Sequence, residues 1–351
     1  MIADKFFLVT GGAGFIGSNL THYLLERRAG VVVLDSLTYA GHKASLARAF
    51  EDPRFTFVEG DIADAELLRS LFERYRFAGV LNLAAESHVD RSIDAPSAFI
   101  RTNIEGTFRL LEAARSWLDG LDGRSDEKAA FRFLHVSTDE VFGSLGDTGR
   151  FSESDPYAPN SPYAASKASA DHLVRAWHRS YGLPTLTTNC SNNYGPKQHK
   201  EKLIPTIIRK ALQGEAIPIY GDGKNVRDWL YVEDHCAAID LILRQGKAGE
   251  LFNIGGHNER RNIDVVRMIL AALGKPESLI EYVADRKGHD RRYAIDPSKI
   301  RAALGWEPRT KFEDGIERTI HWYLEHKSWW QNIISGDYRE YYDRMYAHRG
   351  K

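Results

Sequence analysis

Tyr163 and Lys167 lie four residues apart in the run SPYAASK, a spacing that places both side chains on one face of a helix. A phenol is a poor base at neutral pH, because its ordinary pKa is about 10. A neighbouring ammonium group favours the phenolate, so the pair could remove a proton from a substrate hydroxyl. Many helices carry Tyr and Lys at this spacing without such a role, so the pattern needs support from its surroundings.

An acidic pair, Asp139 and Glu140, follows the apolar run that ends at Thr138. In a closed crevice, desolvation and mutual repulsion can push two carboxyl pKa values apart, leaving one group protonated as an acid and one ionised as a base. That combination is suited to eliminating water, and the Thr138 hydroxyl can hydrogen-bond a substrate hydroxyl. The alternative is a pair of solvated acids on a loop, and the position of the pair on a sheet decides between the two.

Three glycines, Gly11, Gly14 and Gly17, lie in the run TGGAGFIG between an apolar stretch and an amphipathic one. Gly11 permits a tight turn, Gly14 lets the backbone approach a pyrophosphate, and Gly17 lets helix and strand pack closely. The helix N-terminus would supply N–H donors and the positive end of its dipole. The spacing is G-x-x-G-x-x-G rather than the commoner G-x-G-x-x-G, and a glycine pattern alone is weak.

Asp35 strengthens this interpretation, because it ends the next apolar run about twenty residues later. Its carboxylate is placed to accept hydrogen bonds from a ribose diol and would repel a 2′-phosphate, so the sequence predicts NAD rather than NADP. The alternative is a tight turn whose Asp caps a loop. Asp61, after the third apolar run, could contact the adenine or cap a helix. An oxidised nicotinamide would add a second positive charge that favours the Tyr163 phenolate.

These residues have to be positioned by strands and helices that alternate in the first half of the chain. β-Branched runs predict strands over 5–10, 31–35, 55–60, 79–85, 131–138 and 183–189, and helical spacing predicts helices over 15–26, 65–75, 96–118 and 162–181. This alternation predicts an α/β fold with a doubly wound parallel Rossmann sheet covered on both faces. The acidic pair then follows the fifth strand at its carboxyl end, where ligands bind.

Beyond residue 190 the composition of the sequence changes, because Pro and Gly become frequent. Helical spacing there predicts helices over 203–213, 233–245, 262–273 and 311–325. The sequence predicts an NAD-binding Rossmann domain over 1–190. It predicts a smaller C-terminal substrate-binding lobe over 191–351, interleaved with the first, with segments near 225–250 returning to the sheet.

Composition excludes several classes of protein. The 351 residues carry 47 Lys and Arg against 48 Asp and Glu, a formal net charge of −1, which argues against a general nucleic-acid binder. No run approaches the roughly 20 apolar residues that span a bilayer, so no membrane partner is expected. Two cysteines and no secretory leader predict a cytoplasmic protein. The 13 histidines show no metal-ligand spacing, so no metal site is predicted.

The chain resembles the extended short-chain dehydrogenase/reductases that act on nucleotide sugars, and within them the dTDP-glucose 4,6-dehydratase family. The resemblance spans nearly the whole length and rests on the runs TGGAGFIGSN, LAAESHVDRSI, HVSTDEVFGSL, SPYAASKASADHLV, NCSNNYGP, EKLIP, YGDGKNVRDWLYVEDH, FNIGGHNER and DRKGHDRRYAID. The discriminating feature is Thr138-Asp139-Glu140. Epimerases of this superfamily lack the acidic pair, and GDP-mannose dehydratases and UDP-glucuronate decarboxylases generally carry Thr-Ser-Glu there.

The resemblance implies a lyase of deoxysugar biosynthesis, such as the rhamnose pathway, that dehydrates dTDP-glucose to dTDP-4-keto-6-deoxyglucose with NAD. Tyr163, with Lys167, would deprotonate the sugar 4-hydroxyl as hydride passes from C4 to NAD. Glu140 would then remove the C5 proton and Asp139 would protonate the departing 6-hydroxyl, before hydride returns to C6. The resemblance also implies a homodimer that pairs through the helices near 100–118 and 163–180.

Carried over residue by residue, the resemblance assigns two sets of binding residues. The NAD site would comprise Gly11, Gly14, Phe15, Ile16, Gly17, Asp35, Ser36, Leu37, Thr38, Asp61, Ile62, Leu83, Ala85, Thr102, Tyr163, Lys167 and Asn193. The sugar-nucleotide site would comprise Ser87, Thr138, Asn192, Lys202, Leu203, Pro218, Tyr220, Arg227, Asn262, Arg286 and His289. The cations of the second set can neutralise a diphosphate.

Two departures from the family pattern and three alternatives remain. Residues 197–200 read Lys-Gln-His-Lys where the family usually has an aromatic, proline-containing stretch, which predicts a more basic and more mobile loop. Phe142 replaces the more usual Tyr. The alternatives are the same chemistry on a CDP- or UDP-sugar, a 4-epimerase, and a non-catalytic NAD-binding regulator built on the same fold.

Overall fold

The structure, a computed structural model, describes residues 2–121, 126–285 and 288–332. The described strands are, in chain order, β1 (Phe6–Thr10), β2 (Gly30–Asp35), β3 (Phe55–Glu59), β4 (Phe77–Asn82), β5 (Arg132–Thr138), β6 (Thr185–Cys190), β7 (Asn192–Tyr194), β8 (Ile217–Tyr220), β9 (Val226–Tyr231), β10 (Leu251–Ile254), β11 (Glu259–Arg261) and β12 (Ile280–Val283).

The helices alternate with these strands. In chain order the described α-helices are α1 (Phe15–Glu26), α2 (Ala65–Arg74), α3 (Val89–Asp94), α4 (Pro96–Phe99), α5 (Thr107–Asp119), α6 (Asp126–Ala130), α7 (Pro162–Tyr181), α8 (Leu203–Gln213), α9 (Val232–Gln245), α10 (Asn262–Ala272), α11 (Ser298–Leu304), α12 (Phe312–Glu325) and α13 (Lys327–Asn332). Among the described residues, none of the helices is both long enough and apolar enough to cross a bilayer.

The central sheet is parallel and has the strand order β10-β6-β5-β4-β1-β2-β3. Successive residues of β2 face opposite sides of it: Val31 and Val33 join the core that contains α1 and α9, whereas Val32 and Leu34 join the core that contains α2, α5 and α7. The order reverses direction between β1 and β4, which opens a crevice at the carboxyl ends of the strands. The predicted doubly wound Rossmann sheet is confirmed.

The helix predicted over 96–118 is interrupted. A π-helical segment, Ile100–Gly106, separates α4 from α5. Apolar periodicity cannot distinguish such a segment from an α-helix, because both keep one face buried. At its end, a Cβ on Gly106 would lie 2.6 Å from the side chain of Ile62, so the backbone runs close to the loop that follows β3. The segment carries Thr102 to the edge of the crevice.

The second half of the chain forms a smaller lobe and also returns to the large sheet. The lobe contains the three-stranded sheet β11-β9-β7 and the pair β12-β8, with a core around Tyr194 and Phe312. The return consists of α9, which packs in the core of α1, and β10, which pairs with β6. β9, within the segment predicted to return, pairs with β7 and β11 instead. The division at residue 190 stays a prediction.

Candidate active site

The glycine turn between β1 and α1 leaves no space for a side chain at Gly11 or Gly17. Gly11 has a φ of +68°, and a Cβ there would lie 2.7 Å from the backbone nitrogen of Ala84. A Cβ on Gly17 would lie 2.2 Å from the Gly11 carbonyl oxygen, whereas the space at Gly14 is more open. The turn therefore brings the N-terminus of α1 to the crevice with its N–H groups accessible, as a pyrophosphate requires.

Asp35, at the end of β2, is tied to this turn. The Ala13 N–H donates to Asp35 Oδ2 over 2.8 Å, and the Leu37 N–H donates to Asp35 Oδ1 over 2.8 Å. Burial raises the pKa of Asp35, and the two backbone donors act in the opposite direction. The carboxylate thus both caps a loop and faces the crevice, so the two interpretations of this residue describe one geometry.

Most of the predicted NAD residues line one cleft. The residues of that set on its wall are Gly11, Gly14, Phe15, Ile16, Gly17, Asp35, Ser36, Thr38, Asp61, Ile62, Leu83, Ala85, Thr102, Tyr163, Lys167 and Asn193. Leu37 of the set is not on that wall; its φ of +51° turns the loop, and its N–H serves Asp35. Asp61 lies at the rim, with Oδ2 3.3 Å from an Arg101 guanidinium nitrogen.

The acidic pair lies at the carboxyl end of β5, in a short 3-10 turn over Asp139–Phe142. The Glu140 N–H donates to Thr138 Oγ1 over 3.3 Å, and the Thr138 hydroxyl donates to Asp139 Oδ1 over 3.4 Å. Asp139 is 2% exposed, and its Oδ2 has no hydrogen-bond partner among the residues that the structure describes. Burial, reinforced by the charge of Glu140, raises the pKa of Asp139 well above its ordinary value. Asp139 is thereby equipped as a protonated acid beside a second carboxyl group.

Tyr163 and Lys167 lie on the first two turns of α7, which begins with Pro162 after an N-cap in which the Ser161 hydroxyl accepts the Ala164 N–H. The Lys167 ammonium donates to the Val136 carbonyl oxygen over 2.8 Å, and burial lowers its pKa to about 8. Burial and the charge of Glu140 raise the pKa of Tyr163, and a hydrogen bond with Thr138 acts against them. The phenolate therefore depends on positive charge in the cleft.

The predicted sugar-nucleotide residues fall into two groups. Ser87, Thr138, Asn192 and Lys202 line the same cleft, and the Lys202 ammonium donates to the Ser87 carbonyl oxygen over 2.9 Å. The others described lie outside that wall: Leu203, Pro218, Tyr220, Arg227, Asn262 and His289. Arg286 lies outside the described residues.

The second group adjoins the acidic pair through Arg227. Its guanidinium carbon lies 4.3 Å from the centre of the Tyr293 ring, and one of its nitrogens donates to the Asp290 carbonyl oxygen over 3.0 Å. Arg227 lowers the pKa of Asp139, and Glu140 raises the pKa of Tyr293, so these charges act on one another. The residues predicted to bind the sugar nucleotide therefore adjoin the acidic pair.

Residues that were not predicted from the sequence also line the cleft. One of them, Glu201, is surrounded by basic side chains. Its side chain is 3% exposed, and its carboxylate lies 3.5 Å from an Arg91 nitrogen, 3.6 Å from a His199 nitrogen and 3.9 Å from a His88 nitrogen. Burial would raise the pKa of Glu201, but His88, His199 and Lys202 outweigh it and lower the pKa to about 2. We call Glu201 and these three basic neighbours, His88, Arg91 and His199, the Glu201 cluster.

Comparison with known proteins identifies the family. The model of the GDP-mannose 4,6 dehydratase family matches residues 8–319. A dTDP-glucose 4,6-dehydratase from Xanthomonas campestris pv. campestris is 57% identical over 343 residues, which cover 95% of this chain and 97% of that relative. The chain belongs to the dTDP-glucose 4,6-dehydratase family. The resemblance inferred from the sequence runs is confirmed.

Other members of the dTDP-glucose 4,6-dehydratase family agree in both sequence and fold. The dTDP-glucose 4,6-dehydratase 1 of Escherichia coli (strain K12) is 53% identical over 359 residues, covering 97% of this chain and 99% of the relative. A dTDP-glucose 4,6-dehydratase from Streptomyces venezuelae, solved with NAD bound, superposes with a TM-score of 0.88 at 48% identity, covering 94% of this chain and 100% of that one.

Against the dTDP-glucose 4,6-dehydratase pattern, residues 197–200 depart in sequence and are largely packed. Gln198, His199 and Lys200 are buried, and the Gln198 amide donates to the Asn193 carbonyl oxygen over 2.8 Å. This burial argues against the mobile loop predicted from the sequence.

The second departure, Phe142, lies in an aromatic cluster beneath the acidic pair. Its ring is stacked on Phe151 and meets Tyr157 edge-on, each with 5.1 Å between ring centres. The side chain supports the 3-10 turn by packing.

Proposed function

We propose that the chain is a NAD-dependent dTDP-glucose 4,6-dehydratase that converts dTDP-glucose to dTDP-4-keto-6-deoxyglucose. The observation that carries the proposal is the acidic pair at the end of β5. Asp139 is buried and has a raised pKa, Glu140 adjoins it, and both line the cleft that contains Tyr163 and the glycine turn. An epimerase needs no such pair, because it eliminates no water.

The residues present fit NAD. Gly11, Gly14 and Gly17 line the cleft without side chains, so a pyrophosphate could approach the backbone there, and Asp35 lines the same cleft, where a ribose diol could reach it. When bound, NAD supplies the hydride transfer, accepting hydride from C4 of the sugar and returning it to C6. The chain's own residues move the protons.

The proton transfers are assigned to three side chains. Tyr163 accepts the proton of the 4-hydroxyl while the C4–H bond is broken. The resulting ketone acidifies the C5 proton, which Glu140 accepts, and Asp139 donates a proton to the 6-hydroxyl so that it leaves as water. When hydride is added to C6, Glu140 returns its proton to C5, which completes the 4-keto-6-deoxy sugar. Burial raises the pKa of Asp139, and Glu140 is the more accessible of the two, so the pair is suited to act as an acid and a base at one pH.

A turnover assay tests the proposal. Purified protein with NAD is supplied with dTDP-, UDP- or CDP-glucose, and the products are identified by mass and NMR. A 4-keto-6-deoxy product formed fastest from dTDP-glucose is expected. A 4-epimer would identify an epimerase, preference for another nucleotide would reassign the substrate, and NAD binding without turnover of any sugar would favour the non-catalytic regulator.

A homodimer is proposed on the same family grounds. Ile100, in the π-helical segment, and Tyr181, at the end of α7, are 51% and 55% exposed on the helices expected to pair. Light scattering should give the mass of a dimer, and a monomer at micromolar concentration would contradict it. A cytoplasmic location is proposed because Cys190 and Cys236 are both free thiols, and fractionation of the source cells tests it.

A further inference from the structure

Helix α7 carries a third functional group that the mechanism above leaves unused. Tyr163, Lys167 and Asp171 follow one another at intervals of four residues, so they lie along one face of the helix. Asp171 is 4% exposed. A carboxylate this deeply buried is unfavourable unless specific partners hold it, so its contacts deserve an explanation.

The Asp171 carboxylate accepts hydrogen bonds from two hydroxyl groups through one oxygen, and its other oxygen lies near a ring nitrogen. Oδ2 accepts hydrogen bonds from the Ser137 hydroxyl over 2.8 Å and from the Tyr157 hydroxyl over 3.0 Å. Oδ1 lies 3.3 Å from His135 Nε2. The Lys167 ammonium lies 3.3 Å from that same nitrogen. His135 therefore stands between the buried carboxylate and the buried ammonium.

The hydrogen bonds of Asn82 determine the tautomer of His135. The Thr10 hydroxyl donates to Asn82 Oδ1 over 2.7 Å, which leaves the Asn82 amide nitrogen, 3.0 Å away, to donate to His135 Nδ1. The ring proton then lies on Nε2, so this nitrogen cannot accept a hydrogen bond from the Lys167 ammonium. Burial lowers the pKa of His135 to about 4, so the ring is neutral at physiological pH. The ring therefore adds no positive charge beside Lys167.

The titratable groups around Lys167 lie on three elements, α7, β5 and β6. On α7, Asp171 raises the pKa of Lys167, against burial, which lowers it to about 8. From β5, His135 is neutral. From β6, the Cys190 thiol is neutral as well, because burial raises its pKa to about 12. Asp171 thus supplies the full negative charge that favours the ammonium form of Lys167.

We propose that Asp171 is a positioning residue which, by its negative charge on the same buried face of α7, keeps Lys167 protonated and in place beside Tyr163. Its role in turnover rests on the function proposed above, in which Tyr163 is the base. The pattern Tyr-x-x-x-Lys extends, in this chain, to Tyr-x-x-x-Lys-x-x-x-Asp.

The kinetic test is Asp171→Asn, which keeps the shape of the side chain and removes its charge. At pH 6.5 Lys167 retains most of its charge in both proteins, and kcat/KM for dTDP-glucose should fall only about threefold. At pH 8.5 the variant has lost far more of its ammonium form than the wild type, and the ratio should reach about 30-fold. A ratio that is the same at both pH values would mean that Asp171 is merely structural.

Two further variants separate charge from packing. Tyr157→Phe removes one hydrogen bond to Asp171 but leaves its charge, so its kcat/KM ratio to wild type should not grow with pH. Asp171→Glu keeps the charge and should recover part of the activity at pH 8.5. A Glu variant as sensitive to high pH as the Asn variant would also overturn the proposal.

A measurement without substrate keeps the inference testable if dTDP-glucose is not turned over. In the wild type, the folded state holds Lys167 charged below about pH 8 with Asp171 as its partner. The wild type should therefore be more resistant to urea than Asp171→Asn at pH 6.5, and the gap should narrow at pH 9, where Lys167 is largely neutral in both folded proteins. A gap that does not change with pH refutes the inference, whereas a narrowing gap without turnover refutes only the proposed function.

Discussion

Asp139 and Glu201 are buried carboxyl groups of one cleft whose pKa values move in opposite directions. Asp139 faces other carboxylates, Glu140 and Asp228, and its pKa is raised. Glu201 faces the basic side chains of the Glu201 cluster, and its pKa is lowered to about 2. Burial is alike in both, so the neighbours decide the protonation state. The first group is equipped to give up a proton, and the second is a permanent charge that holds cations in place.

The largest effect expected from this contrast is on the rate. Glu140→Gln removes the base of the acidic pair, so kcat should fall by about 10³-fold, within the range of a lost general base. Bound NAD should remain, because the glycine turn would hold it through backbone N–H groups that this substitution leaves in place. Steady-state kinetics measure kcat, and the NAD content of the purified variant measures cofactor binding. Glu66→Gln, at an exposed position on α2, is the control, and a Glu140 variant with undiminished kcat would remove the base from the mechanism.

Replacing the two buried carboxyl groups by amides should change the free energy of unfolding in opposite directions. Glu201→Gln removes the anion from among basic groups and should lower the free energy of unfolding by about 3 kcal/mol. The folded pKa is depressed, so this contribution is present above about pH 4.5 and is lost as the pH falls towards about 2. Urea unfolding should show a difference in stability between the wild type and Glu201→Gln at pH 7 and a smaller difference at pH 3. A difference that is as large at pH 3 as at pH 7 would contradict a lowered pKa for Glu201.

Asp139→Asn should act in the reverse sense. Asp139 binds its proton more tightly in the folded protein than in the unfolded chain, which costs stability as the pH rises above about 4. The Asn variant avoids that cost and should have a higher free energy of unfolding than the wild type at pH 7, while its kcat should fall about 10²-fold because the acid is gone. A destabilised Asn variant would show that Asp139 is ionised in the folded protein.

Neither carboxyl group should contribute much to the affinity for NAD, which depends on the backbone of the glycine turn. In Gly17→Ala the new Cβ meets the Gly11 carbonyl oxygen at 2.2 Å, so the turn must open and NAD should bind about tenfold more weakly. Titration calorimetry measures the change. Gly120→Ala, where the nearest atom is 3.5 Å from the added Cβ, serves as the control and should bind NAD normally.

The smallest effect is expected at Lys202, which adjoins Glu201 and donates to the Ser87 carbonyl. Lys202→Met should raise KM for dTDP-glucose about fivefold with little change in kcat, because one partly solvated cation contributes about 1 kcal/mol to holding a diphosphate. Lys43→Met, at an exposed position, should leave KM unchanged. A large drop in kcat instead would place Lys202 in the chemistry.

The cofactor half of the site could be predicted from sequence because its residues are contiguous. The glycine turn, Asp35 and the acidic pair each follow a strand directly, so a correct strand assignment also places them in the crevice. The Glu201 cluster could not be found this way, since His88 and Arg91 lie over a hundred residues from Glu201 and meet it only in the fold. A charged run such as His-Lys-Glu-Lys usually lies on a solvated surface.

Asp171 is an intermediate case. Its spacing from Lys167 repeats the spacing from Tyr163 to Lys167, so its position on the same helix face could be predicted from the sequence. Its partner His135, however, stands on a strand whose alternation predicts only that the side chain is buried. The substrate side stays least determined, because Tyr220, Arg227 and His289 come from separate loops and strands of the smaller lobe, and Arg286 lies outside the described residues.

The pairing of β10 with β6 has a consequence for how the chain is made. β6 ends at Cys190, but its partner strand is not complete until Ile254. While the intervening residues are still being synthesised, the edge of β6 presents unpaired N–H and C=O groups. Parallel pairing across such a sequence separation is slow, and an open edge invites association with other chains. The large sheet therefore cannot be completed on the ribosome until β7, β8 and β9 of the smaller lobe have been synthesised.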